Sequence, residues 1–441
     1  MKATPGNGFA PWLADDGPAA DTGLAWLDSR RAQARAQVRD QGIPTTKQEA
    51  WRYTSLTRLL EQGFTPTAKA TTTSLEPRDL EPLLIPGLEA YRVVLVNGRF
   101  APGLSDLQHL PAGLRVGGLA QILKSDPDAL KDRLNGVAGE TQPLFAALNT
   151  AGLDDGVVVL LERGAQVERP IELIHLSVGM DEPRVAQPRH IVALEAGAQA
   201  SLIERYLSLG EALYCTNSVL ELSLGRDAVL KHQRIQTESA NAFHIAGLYL
   251  SLGAGSRYQC INVGLGASWA RTDLNVRFTG EHAECDLQGL YLAGDRQLMD
   301  FHLDVDHRLP NCSSRENFKG ILYGKGRAVF DGRVYVAKDA QRTDAAMSNR
   351  NLLLSEGAEV DTKPQLEINA DDVKCSHGTT VGQIEPEQLF YLRSRGISAP
   401  LARRMLCLGF AGEILDCLTP EALRDQVAEQ VGSRLEQAPI D

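Results

Sequence analysis

A thiol and an imidazole two residues apart, Cys375 and His377, are the side chains in this 441-residue sequence best placed to do chemistry. They lie in Val373-Lys-Cys-Ser-His-Gly, which reads as a short strand. Side chains alternate across a strand, so Val373, Cys375 and His377 share one face. The rise of a strand puts the Cys and His backbones roughly 6.6 Å apart. A thiolate and an imidazole that close can share one metal ion or one sulfur species. Ordinary uses compete with that one: a small cysteine is a common core residue, and a strand histidine is commonly a satisfied structural group. Upstream, Leu352 to Leu354 reaches a corner at Gly357, and Leu366 to Ile368 runs into Asp371 and Asp372.

A second candidate set is His302-Leu-Asp-Val-Asp-His307. In a strand, His302, Asp304 and Asp306 share a face, a pattern suited to a hard metal or to acid/base work. Paired carboxylates also line the grooves of sugar-cleaving β-helix enzymes, so a polysaccharide-active enzyme is the alternative reading. The plainer expectation is the polar outer face of a coil, and it applies equally to Cys312 and to Cys285 with His282. Aromatic residues are only 6% of the chain, which leaves few rings to stack on sugars. No phosphate-binding Gly-x-x-x-x-Gly-Lys-Ser/Thr loop occurs, so the chain is not expected to hydrolyse ATP itself. No Gly-x-Ser-x-Gly elbow occurs either.

Composition sets bounds on the rest. Hydrophobic residues make up 43% and charged residues 23%, the range of ordinary globular chains. A net charge of −11 disfavours nucleic acid as the partner. The seven cysteines are scattered and form no Cys-x-x-Cys pair, which argues against a disulfide framework and for a reducing cytoplasm. Met1 to Asp16 has no apolar core and is not expected to be a secretory signal or a typical transit peptide. No run of about 18 apolar residues exists, so no membrane span is expected.

The elements that must position these residues fall into three stretches. Residues 1–18, rich in Gly, Pro, Ala and Asp, are expected to be frayed. From Thr22 to Gln41 the pattern is helical, with Leu24, Leu27, Ala34 and Val38 near one face and Gly42 and Pro44 ending the run. Arg30, Arg31, Arg35 and Arg39 are assigned to the other face, as a solvated surface or, less simply, a site for an anionic partner. Trp51, Tyr53, Leu56, Leu59 and Leu60 read as a packing anchor. Tyr91 to Val96 followed by Asn97-Gly98 predicts a hairpin. Leu119–Leu134 and Pro143–Thr150 read as helices.

From Gly156 the texture changes to short β-rich runs divided by Gly or Asp corners. Leu161-Glu-Arg-Gly-Ala-Gln-Val is echoed by Leu194-Glu-Ala-Gly-Ala-Gln-Ala, and weaker echoes follow to Leu354-Ser-Glu-Gly-Ala-Glu-Val. The period is about 30 residues, with a longer insertion expected between Cys285 and Arg327. A period of that size without intervening helices signals stacked coils. The predicted architecture is mainly β: a parallel β-helix over 155–380, after a mainly helical domain over 1–154 and before a helical domain over 381–441. In the last stretch Pro386 starts a short helix, and Ser398 starts another that carries Leu401, Met405, Leu408 and Leu415. Thr419-Pro420 caps a third, with Leu423, Val427, Val431 and Leu435 on one stripe. These stripes pack either on the β-helix or on a partner.

The Cys-Ser-His-Gly segment, with Pro364-Gln-Leu-Glu-Ile before it and Leu389-Phe-Tyr-Leu-Arg-Ser-Arg-Gly-Ile after it, resembles the SufB/SufD family of iron–sulfur cluster assembly scaffolds, and within it the SufD branch. Lys47-Gln-Glu-Ala-Trp-Arg-Tyr-Thr, Ala146-Ala-Leu-Asn-Thr-Ala and Arg350-Asn-Leu-Leu-Leu-Ser extend the resemblance over most of the chain. Thr379 departs from it, standing where alanine is expected. The resemblance implies a right-handed β-helix and a non-catalytic scaffold role. It implies pairing with SufB through the β-helix and with the SufC ATPase through the C-terminal helices, at Leu401, Met405 and Leu408. Self-pairing would be the alternative when the chain is alone. It implies a transient iron–sulfur cluster shared with SufB, with His377 as its ligand and Cys375 as a second ligand or a packing residue, and no cofactor held tightly by this chain alone.

Overall fold

The computed structural model describes residues 9–13, 22–67, 75–179 and 182–438. Strands dominate, and they wind into a β-solenoid of about eight turns. Each turn gives one strand to each of two sheets. The first sheet runs, in spatial order, from Glu359–Ile368 through Arg327–Val336, Leu298–His307, Trp269–Phe278 and Phe243–Leu252 to Tyr214–Leu224, Arg189–Leu194 and Gly156–Leu161. The second runs from Lys374–Gly382 through Asp344–Leu353, Ser313–Leu322 and Glu284–Ala293 back to Gln199–Leu209 and Ile171–Val178. All these pairings are parallel.

The repeat is regular throughout. Cys285 pairs with Ser314, and Leu298 pairs with Arg327, each one coil on. The longer insertion expected between Cys285 and Arg327 is therefore not there: the two residues lie in different sheets, and the irregular interval came from matching a corner of one sheet to a strand of the other. Alternation does the packing. Leu220, Leu248, Leu274 and Leu303 stack in register along the lumen of the first sheet and are buried. Stacking like on like lets each coil bury the apolar face its neighbour leaves open.

Close backbone approach explains several glycines. A Cβ on Gly156 would stand 1.7 Å from the carbonyl oxygen of Arg189, on the neighbouring strand. Gly412, in the helix Ala399–Leu415, has nothing within 4 Å of that position. Gly156→Ala is expected to cost more than about 3 kcal/mol, since strand pairing must open to admit the methyl. Gly412→Ala is expected to be neutral or to stabilise by up to ~1 kcal/mol. Urea unfolding of both variants checks this, and equal midpoints would contradict the close approach.

The N-terminal region is helical but also supplies strands. Tyr91–Val96 pairs antiparallel with Arg99–Phe100 across Asn97 and Gly98, whose φ angles of 49° and 82° are those of the expected hairpin turn. The same strand extends the second sheet by pairing with Ile171–Val178. Leu114–Gly118 closes the first sheet antiparallel to Gly156–Leu161. Leu119–Leu134 is two short helices, Leu119–Ser125 and Asp128–Lys131, parted at Pro127. Leu144–Ala151 is buried along its whole length. The expectation of a frayed 1–18 lies mostly outside the described residues. Within 9–13, Phe9 and Trp12 are buried in an aromatic cluster with Phe64 and Phe145.

The C-terminal helices Pro386–Ser394, Ala399–Leu415 and Glu421–Gln437 lie beside the second sheet. Ile203, Ile235, Ile261, Val263, Leu290 and Ile321 on its outer face pack against Cys407, Ala411, Ile414, Val427 and Val431. The packed stripe of the middle helix is thus Ala402, Cys407, Ala411, Ile414 and Leu415. It is not the Leu401–Met405–Leu408 line: Leu408 is half-buried, and Leu401 and Met405 remain exposed. In the last helix Pro420 occupies the N-cap position rather than Thr419, and no side chain caps it. Among the described residues no helix is long and apolar enough to cross a membrane.

Candidate functional site

The two ends of the solenoid differ. At the first, short antiparallel strands and helices cover the sheet edges. At the second, Glu359–Ile368 and Lys374–Gly382 are the outermost strands of the two sheets and contain no fully buried residue. Their outer rows of backbone N–H and C=O groups pair with no further strand among the described residues. A long open edge of this kind is a template for another chain.

Cys375 and His377 are on that edge. In register, Cys375 lies beside Ala345 and His377 beside Met347, both buried lumen residues, so both side chains belong to the lumen face as the alternation predicts. Cys375 is half-buried and packs on the core cluster with Val373. Burial, then the charges of Asp344 and Glu316, push its thiol up. His377 is exposed. It borders an open groove of about 670 Å³ that also includes Met347, Ser376, Arg315, Arg350 and Glu413. Thr379, the departure from the family pattern, is exposed on the same strand and disturbs no packing.

Behind this edge sits an acid the sequence reading did not single out. Glu316 lies one coil beneath Met347, buried, and neither carboxylate oxygen has a hydrogen-bond partner among the described residues. Burial raises it to about 8.

Deeper in the lumen is a polar network, also unforeseen. Glu204, Arg234 and Asn262 occupy one position in successive coils. Arg234 Nε donates to Glu204 at 2.7 Å, His232 Nε2 lies 3.0 Å from the same carboxylate, and Tyr206 donates its hydroxyl to it. His232 Nδ1 in turn meets the Tyr258 hydroxyl at 2.9 Å. Burial alone would raise Glu204, but the Arg234 charge and the bonds from His175 and His232 hold it well below the usual carboxylate range. A repeat alignment that stacked Glu204 on Arg234 would have revealed the pair.

His175, His190 and Glu204 place ligand atoms within 4.8 Å of one another, which is close enough for a metal. Their present bonds serve another end. His190 Nδ1 accepts the Val157 amide at 3.1 Å, so its neutral ring carries the proton on Nε2, and Glu204 is already engaged by a guanidinium. A cation there would have to displace Arg234.

The His302 set is on the outer face, as expected of a coil, and its members are individually tied. His302 Nε2 lies 2.9 Å from Asp300, Arg333 Nε donates to Asp304 at 2.9 Å, and Arg308 Nε donates to Asp306 at 2.7 Å. The patch anchors the N-terminal segment. The Arg271 guanidinium stacks 3.9 Å over Trp51 and donates to the Ala50 carbonyl, while Thr54 donates to Asp300 at 2.6 Å. That is what Lys47-Gln-Glu-Ala-Trp-Arg-Tyr-Thr does. Cys285 and Cys312 are buried, and His282 sits at an exposed corner with positive φ.

Among the large apolar side chains on the surface are Phe390 (72% exposed), Tyr391 (58%), Leu401 (48%) and Met405 (44%), all on the C-terminal helices.

Two family models match the chain. The SufBD core domain of the SUF system for iron–sulfur cluster assembly matches residues 176–410, and the SufBD N-terminal region matches residues 19–173. The chain is 34% identical to the iron–sulfur cluster assembly protein SufD of Escherichia coli, over 89% of this chain and 90% of that one. It is 34% identical to an iron–sulfur cluster assembly SufBD family protein of Synechocystis, over 89% and 87% of the two chains. A chloroplastic protein of Arabidopsis thaliana is 31% identical over 88% of this chain and 82% of its own length.

Proposed function

The chain belongs to the SufBD family of iron–sulfur cluster assembly proteins, and on that premise we propose that it is the SufD-like, non-catalytic scaffold subunit of an assembly complex in the cytoplasm. It pairs through the open solenoid edge with a SufB-like chain and through the C-terminal helices with a SufC-like ATPase. The nascent iron–sulfur cluster is cargo, held for a time between the two scaffold chains. His377 is its imidazole ligand from this chain, and Cys375 is the second donor or its packing support. Neutral imidazole and thiolate both suit iron.

The observation that carries this reading is the open edge. The two outermost strands, of ten and nine residues, leave their outer edges open, and the shorter bears the Cys-x-His pair, which supports a neighbouring chain adding there. Co-expression with SufB-like and SufC-like partners tests it. The expected product is a complex of all three chains carrying iron and acid-labile sulfide. Failure of this chain to join the other two would overturn the reading. The tied carboxylates of Asp304 and Asp306 support it against the polysaccharide enzyme, which needs a free acid and a free base.

The helix contact has its own test. Leu401→Asp with Met405→Asp is expected to weaken ATPase binding by about tenfold or more, because a carboxylate buried in an apolar interface is strongly disfavoured. Both residues are exposed in this chain, so its melting temperature should not move. Unchanged ATPase pull-down would place the docking surface elsewhere.

A further inference from the structure

On the outer face of the first sheet two columns of side chains run along the solenoid. Register stacks Gly247, Asp273, His302, Asp331 and Lys363 in one, and Tyr249, Asn275, Asp304, Arg333 and Gln365 in the other. Neighbours in a column stand about 4.8 Å apart, the spacing of paired strands. The segment 41–51 and the start of the helix Leu144–Ala151 rise on either side, and together these elements bound a groove of about 680 Å³.

The charged groups along the groove are paired with one another. Lys363 donates to Glu49 at 2.6 Å, Arg333 to Asp304 at 2.9 Å and Arg271 to Asp273 at 2.9 Å. Charges that cancel in pairs favour neither an anion nor a cation in the groove. Trp51, 5.7 Å from Phe145, adds an aromatic wall.

Tyr249 and Asn275, adjacent in their column, are what the pairing leaves over. Tyr249 is only 6% exposed, and its ring lies across Gly247, where a Cβ would come within 3.0 Å of it. Its hydroxyl makes no hydrogen bond among the described residues, and burial pushes its pKa up, so it remains a donor. Leaving a buried phenol without a partner is costly. Asn275 donates its side-chain amide to the Leu248 carbonyl, which leaves the side-chain oxygen as an acceptor.

We propose that this groove binds a small neutral ligand of the adenine type, as the free base or the nucleoside, with Tyr249 donating to its edge, Asn275 accepting from it, and Trp51 and Phe145 packing on the ring. Adenine offers the matching pair, a ring N7 that accepts beside an exocyclic N6 that donates. Concave sites of about 300–1,000 Å³ with aromatic walls and a few convergent polar groups are the form small-molecule sites take. The net charge of −11 opposes nucleic acid but not a neutral base. The groove faces the N-terminal segment rather than the open edge, so the site does not depend on the scaffold reading.

Calorimetric titration of the full chain with adenosine, adenine and inosine tests this. Adenosine is expected to bind, and inosine about tenfold more weakly, because its carbonyl puts an acceptor against the Asn275 oxygen. Tyr249→Phe keeps the ring and is expected to lose about tenfold in adenosine affinity with no fall in melting temperature, since the hydroxyl holds nothing in the chain. Binding of adenine and adenosine alike supports a site for the base, and binding of adenosine alone supports one for the nucleoside. No binding of either up to about 1 mM overturns the proposal. Equal affinity for adenosine and inosine, or full affinity in Tyr249→Phe, does the same. Should Tyr249→Phe fail to fold, Asn275→Leu takes its place, and full adenosine affinity in that variant is the overturning result.

Discussion

Replacing His377 by alanine is expected to leave complex assembly intact and to remove most of the iron and acid-labile sulfide that the complex carries. His377 is exposed on the outermost strand and donates to no group among the described residues, so its loss should cost the fold less than about 0.5 kcal/mol. Alanine keeps the backbone and hence the edge proposed for the partner chain. What disappears is the imidazole, and water is a poor substitute as an iron ligand. Cys375 differs in kind. Its thiol is half-buried on the core and held protonated by burial, so iron must displace that proton to bind it. Cys375→Ala should have the milder effect if the thiol packs and a comparable one if it ligates. His302→Ala should change cluster content little, since that ring serves the anchor at Asp300. The measurement is iron and sulfide per purified complex, with rescue of a strain that depends on the pathway. Full cluster content with His377→Ala would refute its role as ligand.

A second large effect is expected from the two lumen carboxyls, with opposite signs. Glu204 has a folded pKa well below its ordinary value of 4.5, so its stabilisation is present above that value and is lost as pH falls through the folded pKa. Its partner His232, which burial would lower, is raised to about 9 by Cys260 and Glu204. Its contribution is full below the ordinary histidine value of 6.5 and is lost as pH rises through about 9. Glu316 behaves otherwise. Burial raises it from 4.5 to about 8, so between those values the folded state holds a proton that the unfolded state has released. Stability therefore falls with rising pH across that window. Glu204→Gln is expected to destabilise by about 3–5 kcal/mol near neutral pH, because it leaves Arg234 buried without its counter-charge. Glu316→Gln is expected to stabilise the chain at pH 8 and above and to flatten the slope between 4.5 and 8. Urea unfolding across pH 4–9 reads both. A Glu316→Gln profile parallel to wild type would show that Glu316 is not the buried neutral acid described here.

Much of this was legible in the order of residues. The echo of Leu161-Glu-Arg-Gly-Ala-Gln-Val at Leu194 fixes stacked coils, because a repeat too short to bury its own apolar face must stack on its copy. Asn97-Gly98 fixes a hairpin, because both positions need positive φ. The period of two places Cys375 and His377 on one face wherever that strand lies. What a period cannot tell is which face is inside or which coil is last. Glu204 and Arg234, thirty residues apart, look like ordinary strand polar residues until register brings them into one lumen column. Arg31 looks like its neighbour Arg30 until tertiary packing turns one toward a cavity and the other toward Trp26. Leu401 and Met405 look like a core stripe until Ala402, Cys407 and Ala411 take the sheet instead, since small side chains let the helix approach more closely. The placing of Cys375 and His377 on one strand face was thus written locally. The exposure of His377 at an open edge was decided only by where the winding of the solenoid stops.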